Sequence, residues 1–178
     1  MRRTPCVNAP LLLPPSQDLK EGTGAQPRKG STVTVDWDGY TIGCVVIDEM
    51  SIRHCSETPD SFHPLPRYYG RPFQARNKAK GGAFSREDDG EAALRFQVGD
   101  PKVLGAFNEA VLGMKAGGIR RIVVGPGPLF YPPQGRDARK VVPQPSTFSG
   151  ERALYFVLEN QGLIDKTLLF DIVLLRVE

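Results

Sequence analysis

No apolar run in this sequence approaches the roughly 18–20 residues needed to cross a bilayer as a helix. The longest candidate, Thr167 to Leu175, is interrupted by Asp171. Cysteine is scarce, with only Cys6, Cys44 and Cys55. Three thiols form no framework, because one must stay unpaired within the chain. A Cys44–Cys55 bridge would need Cα atoms within about 7 Å, which spacing leaves open. Histidine is scarcer still. His54 and His63 flank Cys55 at a spacing that fits no closed zinc site and brings no evident fourth ligand, so no metal is expected. Charge of one sign is also lacking. The 23 Lys and Arg against 20 Asp and Glu leave a net +3, with the basic residues scattered. That excludes a strongly basic face and makes nucleic acid an unexpected partner.

What is present is enough for one ordinary domain with extensions. The chain has 178 residues, 40% hydrophobic and 24% charged, so it can bury a core. Its most informative stretch is 94–124, LRFQVGDPKVLGAFNEAVLGMKAGGIRRIVV. Leu94, Phe96 and Val98 alternate with Arg95 and Gln97, the period of a half-buried strand. Gly99 breaks it. Asp100 is placed to cap a helix, with Pro101 in its first turn. Val103, Phe107, Ala110, Val111 and Met114 share one helical face. Gly117 and Gly118 supply a left-handed stop, and Ile119 to Val124 read as a strand with Arg120 and Arg121 solvated. No nucleophile, paired acid or metal ligand sits among the apolar positions. A lone helix on a sheet, with an aromatic pocket as the working part, is the expectation.

Around this centre, residues 1–28 are proline-, glycine- and lysine-rich and read as a disordered or extended lead-in, with one short strand conceivable near Leu19 to Gly22. The first residues are basic and proline-rich but lack the length and serine content of a full targeting segment. Val33, Val35 and Trp37 alternate with polar neighbours as a strand. Residues 44–67, which hold both histidines, read as an insertion between two arms of one hairpin-like unit. A lineage-specific loop and an unremoved intron explain it equally well. Residues 74–91 read as an exposed connection. Residues 125–162 are too rich in Pro and Gly for regular structure and read as a long surface loop, in which Ala153 to Leu158 form a short strand or helical turn. Leu168 to Val177 are the terminal strand.

The blocks VTVDWDGY, RPF, LRFQVGDPKVLGAFNEAVLGMKAGGIRRIVVGP and TLLFDIVLLRVE, in this order and spacing, make the chain similar to the FKBP-type peptidyl-prolyl isomerases, the immunophilins. The resemblance implies an α+β fold: a twisted antiparallel β-sheet of five to six strands wrapped around one short α-helix, as one domain over 29–178. It implies a pocket between helix and sheet. Trp37, Phe73, Tyr131 and Phe170 stand at the family's catalytic positions, and Phe96, Val103, Leu104 and Phe107 at its substrate-binding ones. The Leu104 backbone N–H would bind a carbonyl of the ligand, and Tyr131 matches the loop Tyr that hydrogen-bonds the substrate, with Phe130 the alternative. Three departures stand out. Gln74 replaces the Asp after the turn Phe, Phe107 replaces the usual Trp, and 125–162 replaces the shorter loop over the proline.

The resemblance implies an isomerase of X–Pro bonds that needs no cofactor and acts on proline-containing proteins or peptides. Macrolide immunosuppressants are further ligands of such a pocket, and a monomer is expected. The departures favour a second reading, a catalytically weak or inactive FKBP-like binding module. The block TFSGERALYFVLENQGLIDKTLLFDI is most like plant and algal chloroplast members, many of them in the thylakoid lumen.

Overall fold

A computed structural model of the chain describes residues 16–41, 72–74, 93–132, 135–160 and 165–178. The expected insertion at 44–67, all three cysteines, both histidines and residues 75–91 of the expected connection lie outside the described residues. Strands β1 (Ser16–Lys20), β2 (Thr32–Thr41), β3 (Pro72–Gln74), β4 (Leu94–Gln97), β5 (Ile119–Val124) and β6 (Leu168–Val177) form one antiparallel sheet. Three helices accompany it: α1 (Gly105–Leu112), the single turn α2 (Gly135–Ala138) and α3 (Phe148–Glu159).

The two longest strands form the centre. β2 pairs with β6 from Val33↔Val177 to Thr41↔Leu168, with a shift of register between Thr34 and Val35. β5 lies on the other side of β6, from Ile119↔Val173 to Val124↔Leu168. β1 adds an edge beyond β5. β3 and β4 share the free side of β2 at its two ends. The alternation read from the sequence decides the faces. Val33, Val35 and Trp37 of β2, Ile122 and Val124 of β5, and Phe170, Ile172 and Leu174 of β6 enter one core with Phe107, Ala110 and Val111 of α1. Each buried Val, Leu, Ile or Phe among them contributes roughly 1.5–3 kcal/mol. Tyr40 and Leu169 form a small second cluster.

Four expectations change. The helix begins at Gly105, not at Asp100, and its N-cap is Leu104 without a side-chain cap. The Asp100 carboxylate instead accepts the Lys102 N–H at 2.8 Å. The reason is that Pro101 and Lys102 form a turn closed by the Val103 N–H on the Asp100 carbonyl, after which Leu104 gives its own N–H to the Val142 carbonyl. Arg120 and Arg121 are not solvated. Arg121 grips Asp171 with two bonds of 2.7 and 2.9 Å. Arg120 does the same to Asp18 at 2.6 and 2.9 Å, and also donates to the Ala110 and Gly113 carbonyls at the end of α1. A planar guanidinium fork suits both tasks. The lead-in contributes β1, slightly earlier than the expected Leu19 to Gly22. The expected long loop contains α3, a 12-residue helix.

Candidate active site

Four aromatic rings from four elements meet above the sheet centre. Trp37 (β2) lies 6.2 Å from Phe73 (β3), 6.1 Å from Phe107 (α1) and 5.9 Å from Phe170 (β6) between ring centroids. Phe170 lies 5.9 Å from Phe73 and 5.2 Å from Phe107, both edge to face. Such tilted and T-shaped pairs let each ring's positive edge meet a negative face, worth about 0.5–1.5 kcal/mol each beyond area burial. Gly39 makes room for the group, since a Cβ there would stand 2.5 Å from the Phe73 ring. Phe96 is buried in the same core on β4 but takes no part in these ring contacts. Phe107 does serve as the helix's contribution to the ring cluster.

The polar rim comes from backbone and one hydroxyl. Val103 and Leu104 precede α1 and are buried. The loop after β5 reaches the helix start, where the Ala106 N–H donates to the Leu129 carbonyl at 3.2 Å. Gly105 allows this approach, because a Cβ there would fall 2.8 Å from the Leu129 side chain and 3.2 Å from its Cα. That loop carries Tyr131 into the core. Burial, with a smaller push from Tyr155, raises the Tyr131 pKa far above the usual phenol value, so the group is a neutral donor. Phe130, the alternative, is only partly buried and stacks edge-on against Tyr131 at 5.8 Å.

Both rim donors are engaged by the chain itself. The Leu104 N–H donates to the Val142 carbonyl at 2.7 Å, and the Val142 N–H donates to the Lys102 carbonyl at 2.8 Å. The Tyr131 hydroxyl donates to the Pro143 carbonyl at 2.5 Å. Val142–Pro143 is a cis peptide, and Pro143 and Pro145 are buried. Gln74, which replaces the expected acid, is buried and accepts from the Ser146 N–H at 3.0 Å and its hydroxyl at 3.2 Å. Gln144 donates to the carbonyls of Ala138 and Val141 and accepts from the Tyr155 hydroxyl at 2.6 Å. Desolvation raises the Tyr155 pKa, with Arg139 above its ring opposing. Helix α3 follows, capped by Thr147, and sends Leu154, Tyr155, Val157 and Leu158 into the core.

The result is a closed site: Trp37 is 3% exposed and Phe73, Phe107 and Phe170 are 0% exposed. Sequence reasoning brought the ring set together but missed Val142, Pro143, Gln144, Ser146 and Tyr155. The available signal was Thr147 as an N-cap, Glu151 in a first turn, and apolar positions at 154, 155, 157 and 158. Among the described residues no group of His, Cys, Asp and Glu could hold a metal ion, and no helix is long and apolar enough to cross a membrane.

Comparison with known proteins gives consistent matches. The family model for FKBP-type peptidyl-prolyl cis-trans isomerases matches residues 72–175. The chloroplastic peptidyl-prolyl cis-trans isomerase FKBP19 of Arabidopsis thaliana is 50% identical over 161 residues, 90% of this chain and 52% of that protein. The chloroplastic FKBP17-1 of the same plant is 32% identical over 114 residues, 59% of this chain and 47% of that protein. This chain thus spans about half the length of these curated relatives. Among solved structures, the three FKBP domains of wheat FKBP73 match at a TM-score of 0.47 and 18% identity, over 92% of this chain and 45% of that one.

Proposed function

The chain belongs to the FKBP-type peptidyl-prolyl cis-trans isomerase family, and from that premise we propose that it accelerates rotation about X–Pro bonds in proline-containing proteins or peptides, assisting their folding or assembly. One observation carries the reading. The Leu104 N–H and the Tyr131 hydroxyl converge on consecutive carbonyls of an X–Pro unit, here the chain's own Val142–Pro143. A pair of donors at that separation suits the same unit in a substrate.

The chemistry needs no ionisable catalyst. Amide rotation costs about 18–20 kcal/mol because resonance is lost, and X–Pro bonds isomerise uncatalysed in tens to hundreds of seconds. The planar amide is the more charge-separated form. Water favours it, and an apolar chamber withdraws that water. The twisted amide, with less resonance, loses less. The Leu104 N–H on the amide's own carbonyl and the Tyr131 hydroxyl on the next carbonyl position the X–Pro unit in the chamber, and the lowered barrier itself comes from the withdrawal of water. In this reading Trp37, Phe73, Phe107 and Phe170 line the chamber, Val103, Leu104 and Phe96 support its wall, and Tyr131 orients the substrate. The unit that does this is residues 29–178, with 16–20 added as an edge strand, acting as a monomer. A pocket of this kind also accommodates macrolide ligands. The names of the two plant relatives support a chloroplast location, and within it we propose the thylakoid lumen from the resemblance of residues 147–172 to chloroplast members.

The test is exchange NMR on an X–Pro peptide, comparing the wild-type chain with Phe170→Leu, which keeps apolar bulk and removes a ring. Acceleration by wild type that falls at least tenfold in the variant is expected, with circular dichroism confirming that both are folded. A wild-type chain that leaves the uncatalysed rate unchanged removes the isomerase reading. Gln74 in place of an acid favours the binding-module reading, whose signature would be peptide binding without acceleration.

A further inference from the structure

We propose that residues 141–146 are an intramolecular occupant of the isomerase site, held there by Gln74 and Gln144, so that substrate must displace the chain's own Val142–Pro143. This inference rests on the isomerase reading. Its evidence is the accounting of donors. The two groups assigned to a substrate's carbonyls are already bonded, to Val142 at 2.7 Å and to Pro143 at 2.5 Å. The Val142 N–H closes a second bond, to the Lys102 carbonyl, so Val142 bridges Val103 in parallel as an added strand would.

The segment is tied through two glutamine side chains, at Ser146 and at Gln144. Downstream, the buried Gln74 amide oxygen receives both the N–H and the hydroxyl of Ser146. An ionised Asp there would also accept, but the longer neutral Gln reaches the segment without burying a charge, which would be costly. Immediately after Pro143, Gln144 joins Ala138, Val141 and Tyr155 into one network. Helix α3 then fixes the segment's end against β3, since Gly150 lies so close that a Cβ would stand 2.2 Å from the Phe73 carbonyl and 3.0 Å from Pro145.

A tethered occupant competes at an effective concentration of order millimolar. If it fills the site nine-tenths of the time, the apparent substrate affinity falls about tenfold. Loosening it acts on that affinity and leaves the rotation step alone. The 178-residue chain is therefore compared with Gln144→Ala and Gln74→Leu, using steady-state X–Pro isomerisation and amide hydrogen exchange. In both variants KM is expected to fall by up to about tenfold at unchanged kcat, while exchange of the Leu104 amide speeds up by a similar factor and the Ile172 amide of β6 keeps its protection. Faster Leu104 exchange with wild-type KM would overturn the inhibitory role and leave the isomerase reading standing. Wild-type exchange together with wild-type KM would overturn the assignment of Gln74 and Gln144 as the anchors. No acceleration by any of the three proteins would remove both this proposal and the isomerase reading. Loss of Ile172 protection in one variant transfers the decision to the other, whose substituted side chain is in a different element. Loss in both shows that the segment is part of the global fold rather than a displaceable occupant, and overturns the proposal.

Discussion

Tyr131 has to remain a donor while surrounded by apolar side chains. Burial favours its neutral form, and the Tyr155 hydroxyl nearby adds to the effect. The folded hydroxyl therefore titrates well above the unfolded one, which ionises near pH 10. Stability drawn from the neutral group is fully present below about pH 10 and is lost as the pH climbs beyond it, because only the unfolded chain releases the proton. Thermal unfolding followed between about pH 8 and pH 11 should show this. Tyr131→Phe loses the bond to Pro143, about 0.5–1.5 kcal/mol, and should unfold earlier at pH 8. It should also lose less than wild type as the pH rises, so the gap between them narrows. A constant gap would mean that the Tyr131 proton is not linked to folding. Gln74 is read differently at this scale once its contacts are known. Beside the family pattern it is a missing acid, whereas its hydrogen bonds to Ser146 make it an attachment point for the segment that fills the site.

Among the elements, α3 changes the description of the molecule most. Its inward side carries Leu154, Tyr155, Val157 and Leu158, while Phe148 and Phe156 are 78% and 65% exposed. Docking depends on Gly150, whose missing side chain lets the first turn rest on the Phe73 carbonyl. A backbone oxygen at 2.2 Å cannot move aside as a flexible side chain would. Gly150→Ala should therefore destabilise the chain by about 1–3 kcal/mol through overpacking, despite the gain in helix propensity. Phe156→Ser, on the outward side, should stay within about 0.5 kcal/mol of wild type. Chemical denaturation of the two variants measures both. The same element shows what a sequence can carry. Strands β2, β5 and β6 and the buried face of α1 were legible, because alternation and a 3.6-residue period report directly which side chains are inside. The aromatic set followed from the resemblance. Helix α3 was obscured because Gly150 interrupts its first turn and the proline-rich stretch before it dominates the local pattern. The start of α1 was misread for a non-local reason: the bond from Leu104 to Val142 spans the two parts of the chain and leaves no mark near Asp100.

For the molecule as a whole, the sheet order β1-β5-β6-β2-β3 sets a gradient of stability. β2 and β6 are ten residues each and are paired along nearly their full length. β1 has five residues, four of them exposed, and among the described strands it joins only β5. Local opening should begin at such an edge, where few apolar contacts oppose it. Its distinctive tie is the two-bond pair between Asp18 and Arg120, whose side chains are 45% and 14% exposed. Arg120 also braces the Ala110 and Gly113 carbonyls, so the edge strand is linked through one guanidinium to the helix that carries Phe107. The hydrogen bond to Arg120 holds the Asp18 carboxyl below its usual range, with desolvation opposing. A lowered folded value means the contribution is present above the unfolded pKa, near 4, and is lost as pH falls through the folded one. Solvent screening at this half-exposed position keeps the effect modest. Amide exchange in Ser16–Lys20 should consequently rise as pH drops below about 4, beyond the intrinsic pH dependence of exchange and before any change in β2 or β6. Asp18→Asn should show the raised exchange already at neutral pH. If β1 and β6 lose protection together in acid, the edge is not a separate unit, and Asp18 ties β1 into a single cooperative sheet.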